Sequence, residues 1–175
     1  MYDMAEVKED KKKTKYSKKP TTQRVPEAKI KAKPTVQDLQ DTLYELISQK
    51  FAVHQAHWNV CGPQFGSLHV LFEEMYTEIE EIIDDVAERK VIIGEPADGR
   101  PEAVAKFAQL GNFPEGKIAD VQALDLLTSR YLQISDRMAE RLEETGKTDV
   151  VSQDVLLKVK NMIDIHLWKL RSCSV

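Results

Sequence analysis

The sequence predicts an all-α fold: a four-helix bundle of two antiparallel hairpins joined by one long connection. Three observations predict it. Apolar residues recur at three- and four-residue spacing through most of the chain after Pro34. Gly and Pro cut that pattern into four long segments. Between the second and third segments lies "GEPADGRPEAVAKFAQLGNFPEGK", long enough to carry the chain from one end of a bundle to the other.

Residues 1–34 are expected to form a disordered basic tail. They lack apolar periodicity, contain Pro20, Pro26 and Pro34, and bury too little to offset the entropy of ordering. The domain is expected over 35–175. In its first helix Leu39, Leu43, Leu46, Ile47 and Val53 share a face, Thr35 or Asp38 is a candidate cap, and Cys61-Gly62-Pro63 is the break. The second helix is expected from about Ser67 to Ile93, stopped by Gly94 and Pro96. A short helix is expected near Pro101 to Leu110 within the long connection. The third helix, about Asp120 to Glu144, carries Leu124, Leu127, Tyr131, Ile134, Met138 and Leu142 on one face. Gly146 is its stop, and a fourth helix is expected from about Asp149 to Ser172. No strand-like alternation and no internal repeat is seen. Two hairpins with one long crossover make the ferritin-like version of the bundle.

Composition narrows the class. Hydrophobic content of 42% fits a globular protein, and no apolar run is long enough for a membrane span. Two cysteines, Cys61 and Cys173, make no disulfide framework. The charged N-terminus does not resemble a secretory leader, so a reduced, cytoplasmic protein is expected. Residues 1–33 carry eleven basic and five acidic side chains, whereas the rest carries fourteen basic and twenty-four acidic ones. A basic tail is joined to an acidic body.

The stretch "QAHWNVCGPQFGSLHVLFEEM", residues 55–75, places His57 and His69 on either side of the Cys-Gly-Pro break and ahead of an acidic run. On a helix, Glu73, Asp84 and Glu88 lie at roughly 40°, 60° and 100° from His69. All four share a face, and imidazole with carboxylate suits a first-row metal such as Fe(II). His69 and Asp84 are nevertheless about 22 Å apart along the axis, so one helix cannot bring them to one ion. Positions 69 and 88 share a midpoint with 73 and 84, between Glu78 and Ile79. An antiparallel copy of the helix, with its two-fold beside those residues, sets 69 against 88 and 73 against 84, making two equal sites. His57 is a further ligand candidate. The alternative is a solvated acidic face whose alignment is chance. His54 reads as packing or surface, Cys61 as a small buried residue near the turn, and Tyr44, Tyr131 and Met138 as core.

"HWNVCGPQFGSLHVLFEEMYTEIEEIIDDVAER" closely resembles the signature of the Dps family, the DNA-binding proteins from starved cells, through His57, Trp58, Asn59, Gly62, Phe65, Leu68, His69, Glu73, Asp84, Ala87, Glu88 and Arg89. The likeness runs from about Val36 to Leu170, and "IDIHLWKLRS" is similar to the family's last helix. The resemblance implies a dodecameric shell with ferroxidase centres at the dimer two-fold. His57, His69 and Glu73 of one subunit and Asp84 and Glu88 of the next would hold iron there. It implies oxidation of Fe(II) by hydrogen peroxide in preference to oxygen, with ferric mineral stored inside. Trp58 would take up stray oxidising equivalents beside the site; its other reading is a core anchor. Glu73 stands where the family usually has Asp, one methylene shorter. His166 reads as a hydrogen-bonded core histidine, with a contribution to the metal site as the alternative. Asp149 and Asp154 resemble acids lining the family's three-fold pores, where carboxylate rings attract cations; the plainer readings are a helix N-cap for Asp149 and surface for Asp154. The lysines of the tail are candidates for sequence-independent contact with DNA phosphates, with a solubilising tail as the alternative. A non-catalytic shell that compacts DNA or holds zinc at the same site is the competing function. An ordinary ferritin would need Glu-x-x-His on a bundle helix, and the chain has none.

Overall fold

A computed structural model describes residues 33–174. The helices are α1 (Lys33–Asn59), α2 (Phe65–Ile92), a short α3 (Pro101–Phe107), α4 (Asp120–Gly146) and α5 (Val150–Cys173), with two-residue strands β1 (Val60–Cys61) and β2 (Ile118–Ala119). The four long helices, the short one and the crossover are those expected from the sequence. Of the basic tail, Lys33 and Pro34 are described, and they lie in the first turn of α1; proline is tolerated there, where no intrahelical N–H bond is lost. The remainder of the tail, and the DNA contact expected of it, lies outside the described residues. Among those residues no helix is long and apolar enough to cross a membrane.

The helices pack chiefly as α1 on α2 and α4 on α5, with α1–α4 and α2–α5 contacts closing the bundle. Its core draws Leu39, Leu43, Leu46 and Val53 from α1 and Phe72, Met75, Ile79 and Val86 from α2. Across from them lie Leu124, Leu127, Tyr131, Ile134 and Met138 of α4 and Leu156, Val159, Ile163 and Leu170 of α5. Burying each such side chain stabilises the fold by about 1.5–3 kcal/mol.

The strands were not expected. Val60 pairs with Ile118 and Cys61 with Ala119, in parallel. The chain leaving α1 and the chain entering α4 run side by side there, and two residues are too few to show alternation in a sequence. Gly62 follows with φ +132°, and a Cβ on it would lie 2.5 Å from Asp120 Oδ2. That oxygen accepts from the Gln64 N–H at 3.0 Å, which draws the α1–α2 turn against the start of α4. Cys61 is exposed rather than buried, because only its neighbour Val60 faces the core.

Neither Thr35 nor Asp38 caps α1; both lie inside it. Thr35 shares a hydrogen bond of 2.8 Å with Thr148, and Asp38 accepts one of 2.9 Å from Thr145. They tie the start of α1 to the α4–α5 turn. The crossover is held by buried cations. Arg130 donates to the carbonyls of Leu110, Gly111 and Ser48, to Ser48 Oγ and to Gln49 Oε1. Burial lowers its pKa to about 10, so it stays charged at neutral pH. Lys90 donates to Gln40 Oε1 and to the Pro96 carbonyl.

Asp149 caps α5, accepting from the backbone N–H of Val151 and Ser152. Its other oxygen accepts from Ser152 Oγ and, at 2.8 Å, from Arg89 of α2. Burial pushes this carboxyl upward, but the bonds from Ser152 and Arg89 outweigh it and hold its pKa below the ordinary 3.8. A carboxylate depressed in this way contributes stability that is present above the unfolded-state pKa and lost as pH falls through the folded one. Asp149→Ala is therefore expected to cost about 1–2 kcal/mol near neutral pH through the lost cap. In denaturant titrations the gap between the two proteins should narrow as the pH is taken below 3.8. An equal gap at both pH values would remove the ionised carboxylate from this account.

Candidate metal centre

His57 lies in the last turn of α1 and His69 in the second turn of α2, and the intervening turn folds them together. His57 Nδ1 is 2.8 Å from the His69 carbonyl, and His69 Nδ1 is 2.9 Å from the His57 carbonyl. A carbonyl oxygen only accepts, so both Nδ1 atoms carry hydrogen. Each imidazole is thereby fixed in the tautomer that leaves a lone pair on Nε2. The rings stack with centroids 3.8 Å apart and planes 18° from parallel. Backbone carbonyls hold metal-ligating histidines in this manner, setting tautomer and ring orientation in advance. The break at residues 61–63 thus brings together the two histidines that the sequence singled out.

Glu73, Asp84 and Glu88 are all exposed on α2. Their angular positions lie opposite the core face of Phe72, Met75, Ile79 and Val86. Of the nearby carboxylates, Glu80 pairs with Lys50, and Glu78 with His166. Among the described residues no three His, Cys, Asp or Glu side chains of one chain come together in a way that could hold a metal ion. The single chain supplies a histidine pair and, along α2, carboxylates that cannot all reach it.

The expected two-fold position needs correction. Ile79 is fully buried in the chain's own core, and Glu78 turns to α5. Thr77 and Glu80 share the same midpoint and are exposed on the acidic side. An antiparallel contact through the stripe would meet there, at the level expected but on a different face.

Trp58 is 64% exposed, so the core-anchor reading does not hold for the single chain. Its ring lies 4.0 Å from that of His54, which also stacks on Tyr76 at 4.0 Å. Burial, and after it the neighbouring His57, lowers the His54 pKa and keeps it neutral. His54 is a packing residue, as expected. Trp58, His54, Phe51, Phe113 and Arg130 help line an open groove of about 700 Å³ between α1 and the crossover.

The two pore candidates differ. Both oxygens of Asp149 are taken by its cap and by Arg89, whereas Asp154 is exposed and only 3.6 Å from Lys158. The cap expected for Asp149 is present, and Arg89 of the signature supports it. His166 is fully buried and hydrogen-bonded, as expected. Its partners, Tyr131 at 2.9 Å and Glu78 at 2.7 Å, come from two other helices. No spacing in the sequence pointed to them.

Comparison with known proteins agrees with this fold. The family profile for the ferritin-like domain matches residues 36–173. The chain is 34% identical to DNA protection during starvation protein 2 of Deinococcus radiodurans, covering 80% of this chain but only 58% of that protein. It is 31% identical to DNA protection during starvation protein 2 of Bacillus anthracis, covering 69% of this chain and 82% of that one. Among solved structures, Dps92 from Deinococcus radiodurans matches with a TM-score of 0.79 at 34% identity, over 80% of this chain and 85% of that one. Dps from Staphylococcus aureus matches with a TM-score of 0.77 at 27% identity, over 81% of this chain and 95% of that one. A profile spanning nearly all of the bundle, relatives of this identity and a shared helical architecture place the chain in the ferritin-like family, among the Dps proteins.

Proposed function

We propose that the protein oxidises Fe(II) at centres shared between paired copies, keeps the ferric product inside a closed dodecameric shell, and so protects DNA. The observation that carries this reading is the mutual lock of His57 and His69, which leaves both Nε2 lone pairs free. Names of the relatives support the DNA-protecting role.

In this reading His57, His69 and Glu73 of one copy bind iron with Asp84 and Glu88 of the next. Gathering that many carboxylates without a cation would be unfavourable, since they repel one another as water is excluded. Bound Fe(II) turns that repulsion into attraction. One peroxide would take one electron from each iron of a pair and, with two protons, leave as two waters, so that no single-electron fragment is released. Glu73, being longer than the usual Asp, reaches further from its helix and adjusts the second iron position. Further along the stripe, Gly66 and Val91 share the same midpoint. Gly66 has open space where a Cβ would stand, and Val91 is 58% exposed, so an antiparallel copy would seat Val91 against a residue with no side chain. Asp154 is the better candidate of the two acids for attracting iron at a pore.

Fe(II) added without oxygen, followed by peroxide, should give rapid ferric absorbance, with about two irons consumed for each peroxide. No colour, with DNA retardation intact, would leave the non-catalytic shell. Sharing between chains has its own test. His57→Ala/His69→Ala chains and Asp84→Asn/Glu88→Gln chains are each expected to be inactive. Refolded together they should regain about a quarter of the wild-type rate, since half the pairs are mixed and each mixed pair has one intact site. No recovery would place the ligands within one chain. The tail adds ten lysines and one arginine within residues 1–33. DNA retardation should fall steeply between about 50 and 200 mM salt and weaken on removal of those residues; retardation unchanged by that deletion would assign DNA contact elsewhere.

A further inference from the structure

Tyr131 of α4 and His166 of α5 are both fully buried, and neither takes part in the proposed iron chemistry. Glu78 on α2, 46% exposed at its side chain, completes a chain of hydrogen bonds that starts at the Tyr131 phenol. The directions of these bonds are fixed. A carboxylate only accepts, so His166 Nε2 carries the hydrogen donated to Glu78 at 2.7 Å. Burial lowers the His166 pKa despite Glu78, so the ring is neutral and Nδ1 has a lone pair. The Tyr131 hydroxyl, 2.9 Å away, donates to it. Burial also raises the phenol's pKa well above the ordinary value of 10.0, so Tyr131 does not ionise unaided.

Buried polar groups need partners, and core packing alone accounts for a satisfied tyrosine. It does not account for a neutral base on the phenol linked to a carboxylate at the surface. A buried phenol loses an electron readily only if its proton leaves as well, because a protonated phenoxyl cation is costly in an apolar core. His166 accepts that proton at one nitrogen and releases another from the opposite nitrogen, as imidazole does in proton relays.

We propose that Tyr131 is a redox-active tyrosine: a one-electron donor whose proton leaves through His166 to Glu78. The oxidant is a strong one-electron acceptor, such as the hydroxyl radical formed when peroxide meets a lone Fe(II). The acceptor takes one electron and the radical becomes hydroxide. The Tyr131 O–H bond breaks, its proton moves to His166 Nδ1, and the Nε2 proton moves to Glu78. The products are a neutral phenoxyl radical, a neutral His166 in the other tautomer and a neutral Glu78 carboxylic acid. Charged groups around the relay are Arg130 near the phenol, with Gln49 its polar neighbour, and Lys169 and Glu74 near Glu78. A role inside the shell rests on the iron-oxidising reading above; the redox property of the tyrosine does not.

The test therefore omits iron. The intact, metal-free protein is oxidised with photogenerated ruthenium(III) tris-bipyridyl, frozen, and examined by electron paramagnetic resonance. A tyrosyl signal is expected in the wild type and lost in Tyr131→Phe, with Tyr2, Tyr16, Tyr44 and Tyr76 retained. Glu78→Gln leaves the core unchanged and still accepts from His166, but is no longer a base; it should cut the signal severalfold, and the wild-type yield should drop in deuterated buffer. The same signal in Tyr131→Phe, or full yield in Glu78→Gln with no isotope effect, would overturn the proposal. Failure of the iron reading shows separately, as absent ferric colour with the radical intact.

Discussion

A helix holds its side chains at fixed heights, and that constraint governs how this chain can bind anything along α2. The backbones at His69 and Asp84 stay about 22 Å apart along the axis, further than their side chains can bridge to one ion. The core residues of α2, from Phe72 to Val86, commit one face to the bundle and leave Glu73, Asp84 and Glu88 exposed on the other. Among the described residues, the candidate ligands converge within the chain at the start of α2, where the turn after α1 returns His57 to His69. That convergence needs Gly62 in a backbone conformation that other residues rarely adopt, close against Asp120. The histidine pair is thus a product of the turn, and the acidic face a product of the helix.

The bundle is also bound by charges in unusual places. Glu45 is nearly inaccessible and accepts from Arg137 and Arg141, each with a bond of 2.6 Å. Arg130 has its guanidinium satisfied by carbonyls, a hydroxyl and an amide. Desolvating such groups costs several kcal/mol each, and their bonds do little more than offset it. Their value is positional: a cation that donates in several directions fixes the crossover, which has few apolar residues to bury, against α1. The wall of the groove beside Trp58 is held in this way, with Arg130 as part of its lining.

Much of the fold was legible because it rests on periodicity and punctuation. Leu124, Leu127, Tyr131, Ile134 and Met138 recur at helical spacing and are all buried. Gly94, Pro96 and Gly146 fall where helices end. What was not legible depends on neighbours remote in the sequence. Thr35 and Asp38 have the chemistry of caps, yet they bond to residues more than a hundred positions away. Asp149 matched both a cap and a pore acid, and only the position of Arg89 shows where its oxygens are committed. Cys61 resembled a core residue because the two-residue strand that decides its orientation has no sequence signal. At the candidate centre, the four positions of the stripe follow from helical angle alone. Midpoint arithmetic gives the height that a two-fold contact would take but not its face, since the burial of Ile79 is a property of the whole bundle.

Three faces of α2 therefore carry three different environments. One is apolar and packed. A second holds His69, Glu73, Asp84 and Glu88, where iron would bind between copies. Glu78 lies about 180° around the helix from His69, on a third face that looks to α5 and the Tyr131–His166 pair. A proton arriving at Glu78 is thus on a different face of α2 from His69. The separation matters chemically. A centre that moves electrons in pairs is best kept from a group that gives them up singly, and a rigid helix standing between the two supplies that insulation without any further device.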